Sequence, residues 1–317
     1  MMTGFIPGVD IPVSRIFLGT GSLPENTDEW LSSMLEMGVN AIDTARVYQG
    51  SEEAIGRWLK HTGAREKVVI LSKCCHPFGP IRRVNARAMR EDLHRTLEAL
   101  GTGHVDLYLL HRDDVHTGVG EIMETFQEMK ERGQVRAFGV SNWTHRRIAE
   151  AQAYAGAHLL TPLSASSPNF SLAEQIRDPW GGGCVTLTGK SEEEARKWYR
   201  SSQLPVIAYS ALGRGLLSGK MKSSDRDRAS DFLDRFAMRA YDCPDNFERL
   251  RRCEEVAEAH HMTVPQIATA YLFHQGFNMF AVVSTFRVQR MEENLQALGC
   301  TLTQEECRYM DLSSDTL

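Results

Sequence analysis

One pattern recurs along the first half of this 317-residue chain: a helical stretch, a glycine, a short apolar run, then polar residues. "DEWLSSMLEMG" leads to "VNAIDTA", "NARAMREDLHRTLEALG" to "VDLYLLHRDD", and "EIMETFQEMKERG" to "VRAFGVSN". Gly38, Gly101 and Gly133 fall where a helix needs a left-handed stop. "NTDE", with Asn26 three residues before Glu29, has the spacing of a capping box, and "SEEA" puts Ser51 and two acids at another helix start. Strands separated by helices cannot pair as hairpins, so each unit is a β-α-β crossover and the sheet is parallel. Strands are expected near residues 16–20, 39–43, 67–72, 105–110, 135–140, 159–165, 205–209 and 279–284. Eight strands with helices between them predict an α/β fold closed as a (β/α)8 TIM barrel, with residues 1–317 forming a single domain. An open doubly wound sheet is the competitor, but its G-x-G-x-x-G signature is missing after the first strand, where "LGTGSLPEN" holds only Gly19 and Gly21.

Composition narrows the function classes. The chain is 42% hydrophobic and 24% charged, an ordinary balance for a large packed core. A net charge of −5, with no long Lys/Arg run, gives no electrostatic reason to expect nucleic acid. Apolar stretches such as "VVIL" and "LYLL" are too short to span a bilayer, and "MMTGFIPGVD" lacks the pattern of a secretory signal, so a cytoplasmic protein is expected. Seven cysteines without C-x-x-C spacing fit reduced thiols, with Cys74 and Cys75 packing beside a strand end. Nothing in the sequence speaks to oligomeric state.

In a parallel barrel all strands end on one face, so residues at those ends meet in space. They are Asp43 with nearby Tyr48, Lys73, His111, Ser141 with Asn142, Ser166, Tyr209 and Ser284. Taken singly, Lys73 reads as a solvated strand end and His111 as a satisfied core histidine. Together they are chemically biased. Burial makes a tyrosine a worse acid, whereas a lysine within ~4–6 Å favours its anion and a carboxylate keeps that lysine charged. Asp43 is therefore expected to fix Lys73, and Lys73 to tune Tyr48 as a general acid. A neutral His111 can orient a carbonyl. No Ser-His-Asp order, G-x-S-x-G or activated cysteine offers a nucleophile, so the attacking species is expected on a cofactor. The long connections 172–190 and 212–245 are expected to cover the catalytic face.

These residues carry a resemblance. Over roughly residues 12–300, "NAIDTARVYQGSEEAIG", "VVILSKCCHP", "DLYLLHRDD" and "VRAFGVSNW" resemble, in order, the motifs of the aldo-keto reductase superfamily. The resemblance implies a TIM barrel, a tetrad of Asp43, Tyr48, Lys73 and His111, and reversible reduction of an aldehyde or ketone with Tyr48 as proton donor and hydride from nicotinamide C4. It places Ser141, Asn142 and Ser166 near the carboxamide, Tyr209 against the nicotinamide ring, and Thr20 where the first strand meets the cofactor. The segment from Ser210 through Leu212 to Lys220 resembles the loop over the pyrophosphate. "VVSTFRVQRMEEN" resembles the part that grips the adenosine half, with Arg290 toward a ribose 2′-phosphate and Asn294 toward adenine. An arginine there favours NADPH.

Two departures count against the cofactor assignment. Ser166 stands where many relatives have glutamine, and Ser284 where NADPH-selective members often have lysine, which weakens the preference over NADH. The expected partner is a small carbonyl or alcohol. "GRGLLSGK" has misplaced glycines for a phosphate-binding P-loop, and "HRDD" lacks the further histidines of a metal-dependent barrel hydrolase, so no metal site is expected and the two acids read as a solvated loop start. A competing function is a cofactor-binding sensor or regulatory subunit on the same barrel. Substrate walls are expected from Trp143, Phe170, Trp180 and the tail after residue 300.

Overall fold

Eight parallel strands close on themselves: β1 (Ile16–Gly19), β2 (Ala41–Asp43), β3 (Val69–Cys74), β4 (Val105–Leu110), β5 (Val135–Ser141), β6 (Ala165–Ser167), β7 (Val206–Ala208) and β8 (Met279–Val283), with β8 pairing both β7 and β1. The computed structural model describes residues 2–79 and 81–317. The first five helices are α1 (Thr27–Glu36), α2 (Ser51–Thr62), α3 (Ala86–Leu100), α4 (Val119–Glu131) and α5 (His145–Ala157). They are followed by α6 (Glu193–Ser202), α7 (Arg235–Tyr241), α8 (Pro244–Ala259), α9 (Val264–Phe273), α10 (Val288–Gln296) and α11 (Gln304–Met310). Among the described residues no helix is long and apolar enough to cross a membrane.

α3 shows why these stretches become helices. Met89, Leu93, Thr96 and Leu100 recur at three- and four-residue intervals and are buried, the Asn85 side chain accepts from the Ala88 amide, and Gly101 ends the helix at φ 62°. Gly38 and Gly133 also sit in the left-handed region, at φ 86° and 69°, as the helix-stop pattern requires. The two expected capping devices are not used. The Asn26 side chain makes no cap hydrogen bond, and the Ser51 hydroxyl donates instead to Thr20 Oγ1 at 2.7 Å, beside Gly50 at the cap with φ 74°.

The barrel has two apolar layers set by the alternation of strand side chains. Phe17, Ala41, Val69, Leu71, Leu107, Leu109, Ala137, Ala165, Ile207 and Phe280 fill the interior. Ile16, Leu18, Ile42, Ile70, Tyr108, Leu110, Phe138 and Val140 face the helices. An antiparallel pair, Thr3–Gly4 with Val13–Ser14, carries Ile6, Val9 and Val13 into the interior cluster from the N-terminal end of the strands.

The sixth strand differs from expectation: it is Ala165–Ser167, not 159–165. Pro162 has no N–H, and the Thr161 and Leu163 amides are taken by the side chains of Gln127 and Gln152 at 3.0 Å each. Pairing to β5 begins only where the Ser164 amide reaches the Phe138 carbonyl at 2.8 Å. The backbone upstream is thus bonded to helix side chains instead of to a neighbouring strand.

Candidate active site

The inward phase that puts Ala41, Leu71 and Leu109 in the interior places Asp43, Lys73 and His111 two residues further along, at the C-terminal ends of β2, β3 and β4. The same phase carries β5 to Ser141, β6 to Ser167, β7 to Tyr209 and β8 to Ser284. A cleft of about 900 Å3 opens there, within the usual range for ligand sites (~300–1,000 Å3). Its wall includes Asp43, Tyr48, Lys73, His111, Ser141, Asn142, Tyr209, Ser210, Leu212, Lys220, Ser284, Arg290 and Asn294.

Lys73 Nζ lies 2.5 Å from Asp43 Oδ1 and also donates to the Thr44 carbonyl at 3.0 Å. Both side chains are buried. Burial pulls the ammonium down, but Asp43 and Tyr48 together more than compensate and raise Lys73 above the ordinary lysine value, so it stays cationic. The same Nζ is 5.2 Å from the centroid of the Tyr48 ring. Burial raises the Tyr48 phenol above its usual range, and Lys73 opposes the shift without reversing it. The net direction is upward, so the phenol holds its proton at neutral pH. His111 packs edge-on to Tyr48 with ring centroids 5.9 Å apart. Burial first, then the charge of Lys73, pushes its imidazole well below the ordinary histidine range, so it is neutral. Its Nδ1 is buried without a partner among the described residues.

Asn142 sits at the end of β5 with φ 61°, a left-handed conformation that asparagine tolerates. Its amide donates to the His111 carbonyl and to Ser141 Oγ, while its carbonyl oxygen accepts from the Tyr209 hydroxyl at 2.7 Å and from the Val185 amide. At the β8 end, the helix α10 N-terminus has no side-chain cap, and Lys220, Arg287 and Arg290 line the cleft without ion pairs to described residues. The Asn294 side chain, buried beside them, bonds to no described residue. Uncapped amides, free cations and an unpartnered amide are the donors a nucleotide phosphate and base require, so the residues present fit a dinucleotide.

Two expected cofactor residues are turned away from the cleft. Thr20 is fully buried, its hydroxyl donating to the Asp43 carbonyl at 2.9 Å and accepting from Ser51, while Gly19, Gly21 and Ser22 form the wall. Ser166 is fully buried and accepts from the Tyr199 hydroxyl of α6 at 2.8 Å. Both occupy the outward phase of their strands. The inward residue of β6 is Ser167, whose Oγ is buried and unpartnered among the described residues and whose carbonyl accepts from Ser141 Oγ at 2.7 Å. Counting parity from Ala165 finds Ser167.

The substrate walls also differ from expectation. Trp143 and Phe170 are buried in the outer core, and α11 packs on α8, so of the expected aromatics only Trp180 reaches the cleft. The sequence reading missed His76 and Arg112, which line it after β3 and β4. Asp113 and Asp114 are half-buried, 3.6 Å from Arg147 and Arg82 respectively, so they are paired where a solvated loop start was expected. No cluster of three metal-ligating side chains occurs among the described residues.

The model of the Aldo/keto reductase family matches residues 15–315. An aldo-keto reductase of Strobilurus tenacellus, str7, is 30% identical over 83% of this chain and 74% of its own length. The Schizosaccharomyces pombe aldo-keto reductase yakc [NADP(+)] is 28% identical over 86% of this chain and 78% of its own. The structure of a glycerol dehydrogenase from Gluconobacter oxydans superposes with a TM-score of 0.77 at 26% identity, covering 98% of this chain and 94% of that one. With its barrel, its strand-end cluster and a family model spanning nearly its whole length, this chain belongs to the aldo/keto reductase family.

Proposed function

We propose that the protein reduces an aldehyde or ketone to an alcohol, reversibly, using NADPH. The observation that carries the proposal is the convergence of a cationic Lys73, a protonated Tyr48 and a neutral His111 on one cleft wall. The reduced nicotinamide, when bound, supplies a hydride from its C4 to the carbonyl carbon.

The chain's own residues handle the oxygen. Neutral His111 has one N–H to donate to the carbonyl oxygen, holding it near the Tyr48 hydroxyl. As negative charge grows on that oxygen, Tyr48 gives up its proton, and the phenolate left behind is stabilised by the Lys73 ammonium. Asp43 keeps that ammonium charged and aimed. Solvent then returns a proton to Tyr48, which balances the reaction. Ser141, Asn142 and Tyr209 are the polar residues of the cleft wall that would face the carboxamide, with Ser210, Leu212 and Lys220 along the pyrophosphate. Lys220, Arg287 and Arg290 make a set of cations suited to a dianionic ribose phosphate.

Protein-fluorescence titration with NADPH and NADH, followed by a panel of carbonyl compounds, tests the reading. NADPH is expected to bind at least ~10-fold more tightly, and Arg290→Ala to remove most of that advantage by deleting one charge-assisted contact. Slow cofactor oxidation indifferent to the carbonyl added would instead favour a sensor.

A further inference from the structure

Only three arginines in the described chain are buried: Arg112, Arg249 and Arg252. Two of them are fully provided for. Arg249 bonds to Glu174 and Asn246, and Arg252 to Glu248, Asp315 and the carbonyls of Tyr309 and Ser314. Arg112 is as buried, at 9% exposure, yet it has no hydrogen bond and no ion pair with any described residue. Its guanidinium lies over the Trp180 ring, 5.5 Å from the centroid, and its stem passes Gly183, where an added Cβ would be 3.5 Å from Arg112 Cδ. The acids that follow it in sequence, Asp113 and Asp114, are engaged by Arg147 and Arg82.

Arg112 lines the cleft immediately after His111, and its charge is felt at Tyr48, His76 and His111. In the closed strand order β4 lies across the barrel from β8, so Arg112 stands on the far side of the cleft from Arg290 and α10. The carboxylates on the cleft wall are Asp43, committed to Lys73, and Glu293 on α10. No carboxylate of the cleft wall is therefore left to neutralise Arg112. The stem of Arg112 is packed away while its unpartnered nitrogens open on the cleft, and the planar fork of a guanidinium matches a carboxylate in two parallel hydrogen bonds.

We propose that Arg112 is the anchor for an anionic group of the substrate, and that the protein acts on carbonyl compounds bearing a carboxylate, with Trp180 flooring the same subsite. The inference rests on the carbonyl-reduction reading of the cleft. Arg112 acts on binding and orientation, while proton transfer stays with Tyr48.

The test compares two oxo acids of different span, 4-oxobutanoate and 4-formylbenzoate, with their methyl esters, which keep the aldehyde and remove the charge. In the wild-type enzyme with NADPH, at least one acid is expected to exceed its ester in kcat/KM by about tenfold or more, mainly through KM, as a charge-assisted contact allows. Arg112→Gln is expected to bring the acid-to-ester ratio of kcat/KM to about one, whatever the change in ester turnover that follows from removing a charge near Tyr48 and His111, and Arg112→Lys to restore part of the preference. Esters turned over as well as the acids by the wild type, or an acid preference surviving in Arg112→Gln, overturns the proposal. Should neither acids nor esters be reduced, the carbonyl-reduction reading fails, and calorimetric titration with 4-(hydroxymethyl)benzoate decides the anion site. Binding lost in Arg112→Gln supports it, and equal binding, or none to the wild type, overturns it.

Discussion

Lys73 and Asp43 meet at 2.5 Å inside the mouth of the barrel, with 4% and 6% of their side-chain surfaces exposed. Removing one member strands the other as an uncompensated buried charge, so Asp43→Ala or Lys73→Met is expected to cost ~3–5 kcal/mol of stability. The double substitution is expected to cost less than the sum. Urea denaturation of the four proteins measures the coupling, and strict additivity would contradict it. Asp43, together with Tyr48, raises Lys73 above 10.5, so the lysine's share is intact below that pH and is lost as pH climbs through the higher folded value. Burial raises Asp43 above its ordinary carboxylate value, so acid breaks the pair from the other side as Asp43 takes up a proton.

Tyr48→Phe keeps the ring against His111 and removes the proton. Reduction is expected to fall by ~10²–10⁴ in kcat, the range for a lost general acid, with NADPH affinity nearly unchanged. Single-turnover kinetics beside a binding titration reads both. A variant that still turned over at the wild-type rate would dismiss Tyr48 as the acid.

Burial depresses the His111 pKa well below 6.5, so below that value the unfolded chain takes up a proton that the folded chain refuses. Its share of stability is complete above pH 6.5 and declines as pH falls toward the depressed folded value. Melting temperature followed from pH 7.5 to 5 is expected to drop, and His111→Gln to flatten the part due to this group. Half-buried His76 has its pKa lowered as well, so the slope that remains in the variant belongs partly to it.

Glu52 is fully buried on α2 and ties three elements together. Its carboxylate accepts from Ser72 at 2.6 Å, next to Lys73, from Thr96 of α3 at 2.9 Å, and from Arg46 at 2.5 Å in the loop carrying Tyr48. Glu52→Ala leaves the buried Ser72 and Thr96 hydroxyls unmet, while Arg46 keeps Glu53 at 2.9 Å, so a loss of ~2–4 kcal/mol is expected. Thermal and urea unfolding test this directly. Reduced catalysis in the surviving folded fraction would show that Glu52 also positions the Tyr48 loop.

The barrel was legible because the order of helix, glycine stop and apolar run recurs through the first half, and all eight expected strands overlap those observed, the sixth at Ala165 alone. Strand six escaped because its residues, Ala165, Ser166 and Ser167, are small and polar, whereas the apolar stretch before it is bonded sideways to Gln127 and Gln152. Asp43, Lys73 and His111 were legible as strand-end residues of unusual chemistry. Thr20 and Ser166 were misplaced by one position of parity, which residue type alone does not encode. Arg112 and His76 escaped for another reason: they follow the strands, and their approach to the cleft depends on how the connecting loops turn.

The short N-terminal hairpin acts as a stopper. Ile6, Val9 and Val13 press against Phe17 and Phe280 and leave the barrel with one neck and a sealed base. Traffic is therefore single-ended: whatever reaches Tyr48 and whatever departs afterward must share the mouth framed by Trp180 and Phe286.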